Sequence, residues 1–425
     1  MPRVLLLLPT STYRTADYLH AAARLGVETV VGSERPSTLE RLNPAGLMTI
    51  DFRDARACER AASELASRGG VDAVLGVDEE TALAAARIAR TLGIARANPP
   101  EAVAAARDKR LFRERMDAAG LAAPRWRAEP LEAGADAVAA RVRLPCVVKP
   151  TFLSGSRGVI RADSPDALRA AWERLAAILA DPEVARRGGE NAQTVLVEEF
   201  VPGDEVAVEG LLTAGELEVL AIFDKPDPLD GPFFEETIYV TPSRRSAEVR
   251  AAIARAAGDA AKALGLVHGP IHAELRLPPS GPVVLEIAAR TIGGLCGRAL
   301  RFAEPASSES SETSETVSLE EVVLRHALGR GVPPPREEAA SGVMMIPTPR
   351  AGILEEVRHL AAARAVPDVE DVIVSAHPGQ RLVPLPEGSR YLGFVFARAA
   401  TPERAERALR AANAALEIRI TPGEG

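Results

Sequence analysis

Aromatic side chains are scarce in this chain, with two Trp, four Tyr and ten Phe among 425 residues. That scarcity argues against the stacking platforms on which single-stranded nucleic acids bind. Clustered positive charge is missing too. Lys and Arg number 51 against 59 Asp and Glu, both signs are interspersed, and the net charge is -8. A general nucleic-acid protein or a membrane-surface protein is therefore not expected. The three cysteines, Cys58, Cys146 and Cys296, lie far apart, with neither disulfide nor zinc spacing. Cys146 and Cys296 stand in apolar or Gly-rich segments, where a small buried hydrophobe is favoured over a nucleophile. No stretch reaches the ~20 apolar residues of a membrane span. The opening run Val4–Leu8 is shorter than a signal-peptide core and Pro9 ends it, so a cytoplasmic location is expected. Neither G-x-x-x-x-G-K-[ST] nor the dinucleotide fingerprint G-x-G-x-x-G occurs in a fitting context.

What is present is an ordinary globular composition, 47% hydrophobic and 26% charged. The length calls for two or three packed domains. Strands at Val4–Leu8, Glu28–Val31 and Ala73–Val77 alternate with helices at Thr15–Leu25, Ala55–Ser67 and Glu80–Leu92. Such alternation implies a parallel, doubly wound sheet, with ligands beyond the carboxyl ends of its strands. Thr10 to Thr15 and Asp78-Glu79-Glu80 fall on that edge, where plain polar loops are an equal reading. Asn98-Pro99-Pro100 marks a boundary. A helix then runs through Asp108-Lys109 to Ala119, a strand covers Cys146–Lys149, and Ser164-Pro165 opens another helix. Val195–Phe200, Glu205–Thr213 and Glu218–Phe223 read as neighbouring antiparallel strands. The Ser/Glu tract 306–318 is too polar to build a core and reads as a flexible surface loop. After Pro333-Pro334-Pro335 strands return, then a helix from Thr401, as in a small closing α+β domain. No internal repeat is evident.

Three segments carry candidate chemistry. His272-Ala-Glu274-Leu-Arg276 and Val283-Val-Leu-Glu286 flank a turn at Pro278–Pro282 and read as a β-hairpin. A turn centred on residue 280 sets Glu274 opposite Glu286, their Cβ atoms about 5 Å apart. Carboxylates so placed repel unless they share a cation, and Mg²⁺ takes oxygen ligands while leaving positions for phosphates. A slipped register would instead put both on a solvated face. In the second segment Lys149 ends an apolar strand, where burial is costly without a partner. The loop Ser154-Gly155-Ser156-Arg157-Gly158-Val159 follows, and its backbone N–H groups could wrap phosphate oxygens; a plain turn is the other reading. In the third, Glu198-Glu199-Phe200-Val201 enters a short connection that leaves through Glu205, which is either a nucleotide contact or a charged tip.

In order and spacing these segments resemble the ATP-grasp ligases over nearly the whole chain. Within that superfamily Phe223-Asp-Lys225-Pro, Gly231-Pro-Phe-Phe-Glu235-Glu236-Thr237 and Gly293-Gly294 look most like the L-amino-acid (dipeptide) ligases. The resemblance implies an α/β and α+β chain. Its parts would be a Rossmann-like preATP-grasp domain at 1–97, an ATP-grasp domain at 98–335 with a lid lobe at about 120–200, and an α+β domain at 336–425. It also implies that Lys109 and Lys149 hold ATP phosphates under the closing 154–159 loop. The backbone of Glu199 and Val201 would contact adenine beside Glu198 and Phe200, and Glu205 would take the ribose hydroxyls. Lys225 would approach the phosphates, Glu274 and Glu286 would bind Mg²⁺ (Mn²⁺ substituting), and Arg290 would steady the transferring phosphoryl group. Glu236 would recognise a substrate amine. The implied activity joins a small-molecule carboxylate to an amine through an acyl phosphate, releasing ADP and phosphate, with a homodimer left open.

One departure is visible. Many members carry Asn two residues after the second metal glutamate, where this chain has Ala288. It motivates a rival reading as a silent ATP-binding regulator. A carboxylase-type subunit activating bicarbonate is another, although no biotin-attachment motif is found. His272 alternates onto the face of Glu274, as a site residue or as a space-filling side chain.

Overall fold

The computed structural model describes residues 1–37, 40, 43, 45–303, 316–331 and 334–423. Strands β1 (Arg3–Leu7), β2 (Glu28–Ser33), β3 (Leu47–Thr49) and β4 (Ala73–Gly76) form a parallel sheet in the order β3-β2-β1-β4. The run Val4–Leu7 is apolar because β1 is covered twice. Leu5 and Leu7 pack on Cys58, Ala62 and Leu65 of the helix Ala55–Ser67, while Val4 and Leu6 face Tyr18 and Ala22 of the helix Thr15–Arg24. Only β3 was not expected from sequence; three residues are too few to show a period.

Two helices follow, Pro100–Arg107 and Lys109–Ala118, split at Asp108. Asp108 has extended backbone, φ -94° and ψ 112°, and its carboxylate accepts from the Arg110 and Leu111 N–H groups as an N-cap. The Lys109 N–H donates to Thr151 O at 2.8 Å, which ties this helix start to the next lobe. That lobe is an antiparallel sheet of β5 (Trp126–Pro130), β6 (Cys146–Pro150), β7 (Ile160–Ala162) and β8 (Thr194–Glu199), in the order β5-β8-β6-β7. The helix Pro165–Ala180 covers it with Leu168, Trp172 and Leu175, and Ser164 caps that helix through the Ala167 N–H.

The second large sheet begins with β9 (Asp204–Thr213), β10 (Glu216–Lys225), β11 (Ile238–Thr241), β12 (Gly269–Leu277) and β13 (Val283–Ala288). Its order is β13-β12-β9-β10-β11, continued by Ala340–Ile346, Gly393–Ala399 and Val369–Val374. One sequence expectation is corrected here. β8 does not neighbour β9, because the chain crosses between lobes at Phe200–Gly203. Gly203 sits at φ +106°, and a Cβ there would lie 2.5 Å from Leu277 O, so the crossing demands glycine. The closing segment divides between two sheets: Gly352–Arg358, Arg381–Leu382 and Glu417–Thr421 form a sheet of their own. Three of its strands extend the central sheet, because Ile238 and Val240 of β11 need Met344, Val395 and Leu409 to cover them and pair the edge. Of the Ser/Glu tract, 306–315 lies outside the described residues, while Thr316–Ser318 pairs with Arg301–Ala303. No described helix is long and apolar enough to cross a membrane.

Candidate active site

The central sheet has one apolar and one charged face, and the charged face is largely buried. Val206, Val208, Ala273, Leu275 and Ile287 point toward the helix Ala247–Leu264. By the period of two, their neighbours point the other way. Register then fixes three rows across β13, β12, β9 and β10. Glu286, Glu274, Ala207 and Phe223 make one row; Ala288, His272, Glu209 and Ala221 the next; Val283, Arg276, Glu205 and Lys225 the third. Glu274 and Glu286 are therefore direct partners, as the hairpin reading requires. Nearer the turn the register shifts by one at Leu285, whose carbonyl accepts from an Arg113 NH2 at 2.9 Å.

These charges are densely paired. Lys225 Nζ lies 2.7 Å from Glu205 Oε1, bonds Glu236 and sits 3.6 Å from Glu274. Burial alone would push the Lys225 ammonium down, but the three carboxylates reverse this and hold it well above its ordinary range. Oxygens of Glu205, Glu236 and Glu274 lie within 4.8 Å of one another. Glu205 also accepts from Arg276 Nε at 2.9 Å. His272 Nδ1 is 2.6 Å from Glu209 Oε1 and Nε2 is 3.4 Å from Glu274. Burial opposes the imidazolium, yet both glutamates raise His272 to about 9. Arg290 is half-buried beside Glu79 at 3.2 Å; desolvation works against its charge and Glu79 and Glu286 outweigh it.

The opposite wall comes from the β5–β8 lobe and the helix Lys109–Ala118. Lys109 Nζ contacts Glu286 Oε2 at 3.0 Å and donates to Leu153 O at 2.8 Å. Lys149 Nζ meets Glu198 Oε2 at 2.6 Å, and Arg113 holds the same carboxylate through Nε at 2.7 Å. Burial draws Lys149 down to about 8 despite Glu198. Glu198, for which burial alone would act upward, is brought to about 2 by Arg113 and Lys149. Gly155, Ser156 and Gly158 all take positive φ, so the 154–159 loop bends sharply, and the Gly158 N–H donates to Pro386 O at 2.9 Å. At the crossing, the Glu199 N–H donates to Arg125 O and the Phe200 N–H to Pro145 O. The Phe200 ring lies under the guanidiniums of Arg161 and Arg276, at 4.0 and 5.3 Å.

Between these walls lies a cleft of about 350 Å³. Lys109, Lys149, Ser154, Gly155, Ser156, Val159, Glu198, Glu199, Phe200, Val201, Glu205, Glu236, Glu274, Glu286 and Arg290 all line it. Lys225 sits beneath its three carboxylates, with a side chain 3% exposed. Arg157 borders a separate groove near Glu387, and Gly158 packs on Pro150 and Leu175. Sequence reasoning missed Arg113, although its i+4 spacing from Lys109 places both on one helical face. Alternation from Glu274 could have found Arg276. Met345, Tyr391 and Phe394 also line the cleft, and no local pattern announced them.

A two-lobed cleft over a charged sheet, with Lys109 and Lys149 on one wall and Glu274 and Glu286 on the other, is the arrangement that the ATP-grasp resemblance implies. Residues 142–299 match the ATP-grasp domain family, and residues 344–421 match the L-amino acid ligase C-terminal domain 2. The chain thus carries an ATP-grasp domain at 142–299 and the C-terminal domain of the L-amino acid ligases at 344–421. An uncharacterised protein of Sinorhizobium fredii is 25% identical over 99% of this chain and 84% of its own length. The alanine–anticapsin ligase of Bacillus subtilis is 27% identical over 54% of this chain, which spans half (50%) of that enzyme. In fold, the L-amino acid ligase of Bacillus licheniformis superposes with a TM-score of 0.81, at 24% identity, over 99% of both chains.

Proposed function

We propose that the protein is an ATP-dependent carboxylate–amine ligase acting on amino-acid-like substrates. The observation that carries this reading is the pairing of cationic Lys109 and Lys149 on one wall with the Glu274–Glu286 pair on the other. One carboxylate oxygen attacks the γ-phosphorus of ATP and ADP leaves. The amine nitrogen then attacks the acyl carbon, its surplus proton departs, and phosphate leaves with the original carboxylate oxygen. The first step brings two anions together, so the lysines and Arg290 are needed to offset their repulsion.

The donors suit a hard dication. Glu274 faces Glu286 in register, and Glu209 Oε2 nearby is buried without a partner. Glu274 and Glu286 would hold Mg²⁺, which would neutralise phosphate charge, while Ala288 contributes no oxygen. Lys149, with Ser154 to Val159 closing above it, would hold phosphate oxygens and keep water from the acyl phosphate. In this reading 1–97, 98–335 and 336–425 are the working units and about 120–200 is the lid. Nucleotide analysis during turnover tests the chemistry. ADP and phosphate are expected with amino-acid pairs, whereas AMP and pyrophosphate would overturn the mechanism.

A further inference from the structure

Beyond Arg290 the cleft changes character. Its inner end is walled by Ile292, Cys296, Met345 and Phe394, none more than 4% exposed, and Tyr391 and the exposed Tyr13 line the cleft with them. The wall is fixed by packing. Phe394 stands edge-on to Tyr13 at 5.9 Å and stacks on Phe396 at 6.3 Å. A Cβ on Gly294 would come within 2.9 Å of the Phe394 ring, so the absence of a side chain there leaves the ring its place. Glu236 borders this end. Tyr239, Cys296 and Tyr391 are pushed upward first by burial and then by its charge. Two buried cations neighbour this end and both are committed, Arg14 to Val77 O, Gly294 O and the Thr291 hydroxyl, and Lys225 to Glu205 and Glu236. Arg390 also borders the cleft, but it is exposed.

We infer that the amino acid supplying the carboxylate carries an uncharged, apolar side chain of the leucine, methionine or phenylalanine kind. This rests on the ligase reading above. The α-carboxylate would lie toward Arg290 and the α-ammonium toward Glu236, so the side chain enters the Ile292–Met345–Phe394 end. A charged side chain there would lose its hydration and find no free counter-charge. An apolar one exchanges water for close-packed apolar walls.

The test gives the full chain ATP, Mg²⁺ and a fixed acceptor such as alanine. Each candidate donor carries ¹⁸O in its carboxylate, and ¹⁸O in the released phosphate marks which amino acid was activated. Leu, Met and Phe are expected to release labelled phosphate at least ~10-fold faster, as kcat/KM, than Asp, Glu, Lys or Arg. Met345→Trp should lower kcat/KM for Leu and Phe about 10-fold while leaving the KM for ATP unchanged. Met345→Ala, which adds no bulk, is a second probe and should shift preference toward the larger apolar donors. Faster release from charged donors, or no change in donor preference in either variant, overturns the inference and leaves the ligase reading standing. Absence of amino-acid-dependent phosphate release from any donor overturns both.

Discussion

At the scale of single residues, the site is a set of buried charges that tolerate one another only as groups. Glu198 serves two cations, Arg113 and Lys149, both of which are almost fully buried. Glu198→Ala should destabilise the fold by about 3–5 kcal/mol, because it strands two buried positive charges; a urea titration reads this directly. An unchanged midpoint would mean that water replaces the carboxylate. Lys149 has its own pH signature. It is charged below about 8 and neutral above, so ATP binding should weaken as pH rises from 7 to 9. Lys149→Gln should bind more weakly and lose that dependence, as calorimetry with ATP would report. The residue types were readable in the sequence at Lys149, Glu274 and Glu286 because each ends or faces a strand of plain alternation. Their partners were less so: Arg113 reaches Glu198 from 85 positions away, and no local pattern records such a distance.

Among the elements, long periodic segments were legible and short or shared ones were not. The helix Ala55–Ser67 has the expected bounds because its apolar stripe, its Asp54 cap and its glycine stop agree. The hairpin was legible because its proline-rich turn marks its own centre. β8 misled: its apolar alternation fits any antiparallel sheet, and only the Pro202-Gly203 crossing assigns it to the other lobe. The strands Ala340–Ile346 and Gly393–Ala399 could not be placed on the central sheet by pattern, since joining it depends on the edge that β11 leaves open. A titration prediction belongs here too. The helix Leu319–Ala327 carries His326, stacked on His268 at 4.3 Å. Burial, then His268 and Arg96, lower His326 to about 4. Its protons bind more readily in the unfolded chain, so the neutral pair stabilises above ~6.5 and that contribution fades as pH falls toward 4. The melting temperature should drop across that window, and His326→Gln should flatten the drop.

In the whole molecule, one cleft is lined from the first sheet's edge, the β5–β8 lobe, the central sheet and the closing segment. One continuous core joins Leu6 of the first sheet, Phe223 of the central sheet and Phe394 of the closing segment. The β5–β8 lobe reaches the same closing segment through Gly158 to Pro386 and Arg174 to Glu387. Arg113 to Glu198 and the Lys109 N–H to Thr151 O tie the rest of the lobe to the body, so the lid reading places its motion in the 154–159 loop. Adding ATP with magnesium should therefore slow proteolysis within 154–159, and equal cleavage rates would argue against a lid. The parallel first sheet followed from the order of strands and helices, and the rest of the architecture from the resemblance. The shared core did not, because it depends on residues hundreds of positions apart.

The most direct measurement is a Mn²⁺ titration by electron paramagnetic resonance in the presence of ADP, on the native chain and on Glu286→Gln. Two facing glutamates that share a dication with the nucleotide predict a tight site in the native chain, weakened on the order of 100-fold in the variant with folding intact. Equal Mn²⁺ affinity in both proteins would contradict the account.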